Sequence, residues 1–181
     1  MEADWEFEVG GGAPVIEACW PGFVNLRADP IRVTELAEVR QLPALAQALV
    51  RLNGPDSPVW SSKADVFVPE SIDRYELDAS PEETTCAIAC YVDMHWQNAQ
   101  HWNSPFVVEQ FCKESCKRLS SILLRCCRVD LVIRRAHYQA DQPVFAVTVY
   151  LTACGPSKTD AQVRLGACLS AFVAAVLTAP E

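Results

Sequence analysis

Basic residues are in deficit here: 15 lysines and arginines stand against 23 aspartates and glutamates in 181 residues, a formal net charge of −8. Binding to nucleic acid or to an anionic membrane draws on a long-range positive field, so neither is expected. Only Arg125, Arg128, Arg134 and Arg135 suggest a local basic patch. Glycine is also sparse, with seven copies. Gly10-Gly11-Gly12 lacks the lysine and the strand-loop-helix setting of a phosphate loop, and no G-x-G-x-x-G follows a strand, so nucleotide binding has no support. The start Met1-Glu2-Ala3-Asp4-Trp5-Glu6 has neither the basic residues nor the apolar run of a secretory signal. No stretch approaches the roughly 20 apolar residues that span a bilayer, and the run from Cys168 to Leu177 reads as a core helix. A cytoplasmic protein is expected.

Half the residues are hydrophobic and a fifth are charged, as in an ordinary globular domain. A chain of this length buries roughly 70% of its unfolded surface and needs no covalent staples. Its nine cysteines form no framework of the small secreted kind, since Cys126 and Cys127 are adjacent. Cys86, Cys90, Cys112 and Cys116 make two C-x-x-x-C pairs, but four residues along a strand span roughly 13 Å, too far for two sulfurs on one zinc. Cys112 and Cys116, a helical turn apart, would need His101 or His95 to complete a site. Reduced core thiols are the simpler reading, with Cys19, Cys116 and Cys154 the candidates for exposure. No metal or cofactor is expected.

Along the chain, Trp5 to Val9 alternates, breaks at the triple glycine and resumes at Val15 to Trp20, a hairpin or two short strands. Asp29-Pro30 opens a helix that Leu42-Pro43 divides into pieces at about 30–40 and 43–52, and Asn53-Gly54 supplies a left-handed stop. A strand follows from Val59 to Val68, with a shorter one at Arg74 to Leu77; residues 79–83 are the connector between two halves. Cys86 to Trp96 alternates throughout. Ser104-Pro105 caps a helix from about 105 to 126, Val129 to Tyr138 and Val144 to Ala153 are hairpin strands, and Ser157 with Asp160 starts the last helix, about 158–178.

The order β-α-β-β-α over 84–178 is most of a ferredoxin-like split β-α-β arrangement, an antiparallel sheet with helices on one face. The expected fold class is therefore α+β in one domain, the N-terminal half covering about 1–80. A faint likeness between Arg51-Leu52 leading to residues 64–68 and Arg118-Leu119 leading to residues 129–133 adds the alternative of two similar halves. Alternation sends Cys86, Ile88, Cys90, Val92, Met94 and Trp96 one way and Tyr91, Asp93 and His95 the other. The helix-free face would then gather Tyr91, Tyr138 and Tyr150 with Val132, Val144 and Ala146, an apolar patch that calls for a cover. The N-terminal half, a second copy of the chain and a ligand compete for that place.

Two functions follow from that face. The first is a noncatalytic module that binds a protein, itself as a homodimer or another chain, or a small molecule. The second is a small-molecule enzyme whose acid-base site is Asp93, His95 and Arg134, with Tyr138 beside them: imidazole titrates near neutrality, a carboxylate fixes its tautomer and arginine holds an anion. Against the second stands the plainer reading of a polar network between sheet and cover, and no serine or cysteine is placed beside His95 by sequence. The segment from His95 to Asn103, with Trp96, His101 and Trp102, is either a binding loop or a plug for the end of the core.

Overall fold

A computed structural model describes residues 1–8, 22–138 and 142–178 of the chain. The Gly10-Gly11-Gly12 turn, the strand expected at Val15 to Trp20 and Cys19 lie outside the described residues. The protein is an α+β fold built on one five-stranded mixed sheet of order β1-β4-β5-β3-β2. Its strands are β1 (Glu2–Phe7), β2 (Val59–Phe67), β3 (Cys86–Trp96), β4 (Cys127–Tyr138) and β5 (Gln142–Gly155). β2, β3, β5 and β4 are antiparallel to their neighbours, whereas β1 runs parallel to β4. Among the described strands both N-terminal ones are therefore sheet edges, and part of the N-terminal half lies on the helix-free face, where Ile72, Leu77 and Ala79 pack with Ala87, Cys126 and Cys154.

Helices α2 (Pro43–Leu52), α3 (Pro105–Ser120) and α4 (Lys158–Leu177) share one face of the sheet, preceded by a single turn, α1 (Glu38–Gln41). The core joins Leu45, Leu49 and Leu52 of α2, Val108, Phe111 and Leu119 of α3, and Leu165, Leu169 and Phe172 of α4 to Cys90, Val92, Leu131, Val149 and Leu151. α4 is long and apolar enough, by length and composition, to cross a membrane, which amends the expectation that no stretch is. Here its buried stripe lies on the sheet.

The proline division holds: a 3-10 turn at Pro30–Glu35, capped by Asp29 onto the Ile31 amide, precedes α1, and α2 starts at Pro43. Several local expectations change. The stop after α2 is not left-handed, since Asn53 has φ −99°. Its buried amide instead donates to Leu49 O (2.8 Å) and Ser61 Oγ (2.7 Å) and accepts from Ser61 N (3.1 Å), fastening α2 to β2. Residues 74–78 are a turn rather than a strand, because Asp73 Oδ1 takes the Tyr75 amide at 2.8 Å. Ser104 makes no side-chain cap, leaving Pro105 to start α3. α3 ends at Ser120, where Ser121 Oγ donates to Arg118 O at 2.6 Å and competes with the helical ladder; Leu123 is then fully exposed. Three of the four arginines of the expected patch are neutralised by carboxylates: Arg125 pairs with Asp78 and Glu83, Arg128 with Glu76 and Asp130, and Arg134 with Glu8.

Candidate functional site

Strand register arranges the helix-free face into rows that cross the whole sheet. One row runs Asp4, Asp130, Tyr150, Tyr91, Asp65 through β1, β4, β5, β3 and β2. The next runs Glu6, Val132, Thr148, Asp93, Lys63 in the same strand order. Asp93, His95 and Arg134 thus emerge away from the helices, as alternation required. Burial divides the face. Asp93 (6% exposed), His95 (2%), Thr148, Val132, Ala136, Val144, Ala146 and Trp60 are buried, whereas Asp4, Glu6, Lys63 and Asp65 are exposed and Tyr91, Asp130 and Tyr150 half-buried.

The three candidate acid-base groups are committed elsewhere. Thr148 Oγ1 donates to Asp93 Oδ1 at 2.5 Å. Burial raises the Asp93 pKa, against the opposing pull of that hydrogen bond and of Arg134 and Lys63. Arg134 Nη2 donates to Tyr150 Oη at 3.2 Å and its Nε lies 2.5 Å from Glu8 Oε2, an ion pair whose N–H is not aimed along the line of contact. His95 packs against Trp60 with ring centroids 4.7 Å apart, and the Arg27 guanidinium lies over the same indole at 4.7 Å. Burial, with Arg27 adding to it, pushes the His95 pKa down to about 3.

A serine does stand beside His95, contrary to the sequence reading. β2 carries a bulge between Ser61 and Lys63, and the extra residue, Ser62, brings its Oγ to 2.8 Å from His95 Nε2. The pair is not an activated nucleophile. A histidine protonated only near pH 3 is a weak base at neutrality, and its buried Nδ1 has no hydrogen-bond partner among the described residues to stabilise an imidazolium.

Trp96, His101 and Trp102 fall on the helical side, away from the tyrosines. Trp96 stacks on His101 at 4.6 Å and meets Trp102 at 5.5 Å and Phe111 at 5.8 Å, and Trp102 is 1% exposed. They close the end of the core beside α3, so the aromatic candidates do not form one site. Tyr138 ends β4, but its side chain lies outside the described residues. Cys116 and Cys154 are buried rather than exposed, and burial pushes the Cys116 thiol up to about 12, well above the range of a reactive thiolate. Among the described residues, no group of three or more His, Cys, Asp or Glu side chains is placed to hold a metal ion.

What the face leaves accessible is a cleft of about 280 Å³ lined by Asp4, Glu6, Arg128, Asp130, Val132 and Tyr150. A smaller one of about 180 Å³ adjoins it through Arg128 and Asp130, bounded by Asp73, Glu76 and Thr152. Tyr91 and Tyr150 stand as a cross-strand pair with ring centroids 5.9 Å apart, next to the first cleft. Sequence reasoning found the tyrosines but missed the carboxylates around them. Their signal was the alternation Glu2, Asp4, Glu6, Glu8, which places all four on the helix-free face once β1 pairs with β4. No family model, no curated protein and no solved structure matches the chain.

Replacing Asp93 by asparagine separates burial cost from network value. The folded pKa lies above the unfolded value of 3.8, so stability is greatest where both states are protonated and falls as pH rises from 3.8 through the folded pKa. Asp93→Asn is therefore expected to be more stable than the parent at neutral pH, with the difference vanishing below pH 3.8. Denaturant midpoints at a series of pH values measure this, and a variant less stable at neutrality would mean that the Arg134 and Lys63 attraction outweighs desolvation.

Proposed function

We propose that this chain is a noncatalytic interaction module of ferredoxin-like arrangement that holds a basic partner protein on the accessible part of its helix-free face. The strand order supports the fold label. β4-β5-β3 with α3 and α4 is the expected β-α-β-β-α unit, and β2, antiparallel to β3, occupies the place of the missing last strand. β1 extends the sheet beyond that arrangement on the β4 side.

The observation that carries the functional reading is the row Asp4, Asp130, Tyr150, Tyr91, Asp65: an aromatic pair flanked by carboxylates on both sides, Asp130 already shared with Arg128 and Asp4 and Asp65 exposed. Carboxylates attract a lysine or arginine side chain, and a tyrosine face adds cation–π attraction once the cation is desolvated. Self-association through this face is disfavoured because two copies would bring acidic rows together. The acid-base alternative is disfavoured because His95 and Asp93 are buried and Arg134 is paired.

The test is a fluorescence titration with a flexible lysine- and arginine-rich peptide. Glu6→Gln with Asp130→Asn, and separately Tyr150→Ala, are each expected to weaken binding by about tenfold, and added salt to weaken it further. Equal affinity for parent and variants would end the proposal.

A further inference from the structure

The two edges of the sheet are not equally open to another strand. On β2, Gln97 N donates to Pro58 O at 2.8 Å, which fixes the alternation and turns the amides of Val59 and Ser61 outward. Both are taken by side chains of the same chain, Val59 N by Ser57 Oγ (3.3 Å) and Ser61 N by Asn53 Oδ1 (3.1 Å). Beyond the Ser62 bulge, Val66 N is taken by Asp65 Oδ1 at 2.7 Å. Side-chain caps and a bulge are the devices that close an edge.

On β1, Glu8 N donates to Ile133 O at 3.0 Å, so the even-numbered residues direct their amides to β4 and Ala3, Trp5 and Phe7 direct theirs outward. Among the described residues, one side-chain cap is found there, Asp4 Oδ1 on Trp5 N at 2.8 Å. That carboxylate is exposed and belongs to the row described above. We propose that the outer edge of β1, which no described strand pairs, is a docking site for an extended segment of another protein that carries lysine or arginine at alternate positions. This rests on the basic-partner reading above and specifies how such a partner is held.

Charge selects the occupant. Every residue that β1 places on the helix-free face, Glu2, Asp4 and Glu6, is acidic, and Glu8 just beyond it is paired with Arg134. A second copy adding its own β1 antiparallel to this one would set carboxylate against carboxylate in any register, which destabilises a cross-strand pair. A strand with basic residues at every second position sets each opposite an acid instead, while its intervening side chains lie beside Trp5 and Lys113, whose ammonium sits 5.3 Å from the Trp5 ring. Such a strand also displaces Asp4 from the Trp5 amide and frees that carboxylate for a cation.

The experiment uses the whole protein and an alternating lysine–threonine peptide, read by fluorescence anisotropy at low ionic strength. Two changes block strand pairing without altering charge: N-methylation of alternate peptide amides, and Ala3→Pro, which removes an outward amide while leaving the bonds to β4 intact. Each is expected to weaken binding by about tenfold or more, with the methylated peptide giving the answer on unaltered protein. Binding that ignores both changes but is lost in Tyr150→Ala would overturn strand addition and leave the face reading standing. No binding of either peptide would overturn both. A concentration-dependent dimer abolished by Ala3→Pro would assign the edge to a second copy and overturn the basic partner.

Discussion

Lowering the pH from about 6.5 to about 4.5 is expected to cost the fold roughly 2–3 kcal/mol through His95 alone. The folded state holds this histidine neutral down to about pH 3, whereas in the unfolded chain it takes up a proton near 6.5. The contribution is fully present above 6.5 and is lost as pH falls toward 3, at about 1.4 kcal/mol per pH unit. The cause is structural: the imidazole is buried against the ring of its cross-strand neighbour Trp60, where a positive charge loses its water and meets the Arg27 cation nearby. His95→Gln keeps a polar group near Ser62 Oγ but does not titrate, so its stability should fall by one proton less across the same range. Asp93 works in the opposite sense above 3.8, so the cleanest comparison is made in the Asp93→Asn background. Urea midpoints measured through the range test it. Parallel curves for the two proteins would mean that His95 is open to water and protonates in place.

Truncating Phe172 to alanine is expected to cost about 3–5 kcal/mol, a large share of the roughly 5–15 kcal/mol that holds a domain together. Phe172 is among the largest side chains with no exposed surface, and it sits in the C-terminal half of α4, which lies on the sheet between α2 and α3. Neighbours drawn from helices and strands cannot all collapse into the space, so lost transfer energy and a cavity add. Val163 on the same helix is 68% exposed, and Val163→Ala should stay within about 0.5 kcal/mol of the parent. The contrast reads out which side of an unusually apolar helix supports the fold. Similar losses at both positions would mean that α4 is covered on both sides.

Wherever a residue's fate was set by its near neighbours, the sequence was legible. Strand β3 falls on Cys86–Trp96, and its alternation correctly separates Cys90, Val92 and Met94 from Tyr91, Asp93 and His95. α4 begins after Ser157, whose Oγ accepts the Asp160 amide as expected. Features that depend on distant pairing were not legible. β1 finds β4 across more than a hundred residues, and only that pairing sets Asp4 beside Asp130. The Ser62 bulge exists only in the register of β2 against β3, so the contact with His95 left no trace in local spacing. Local spacing makes Asn53 only a backbone stop, because its role as a side-chain clasp needs Ser61, eight residues on and in another element. Arg134 looked available for an anion because Glu8, its partner, comes from the opposite end of the chain.

The accessible, carboxylate-flanked tyrosines of the helix-free face are the surface proposed to bind. Amide chemical-shift mapping of the labelled protein with a lysine- and arginine-rich peptide addresses this directly. Shifts are expected to concentrate at Asp4, Glu6, Asp130, Tyr150 and Tyr91 and to spare the outer surfaces of α2 and α4. Shifts centred on those helices, or none at saturating peptide, would contradict it.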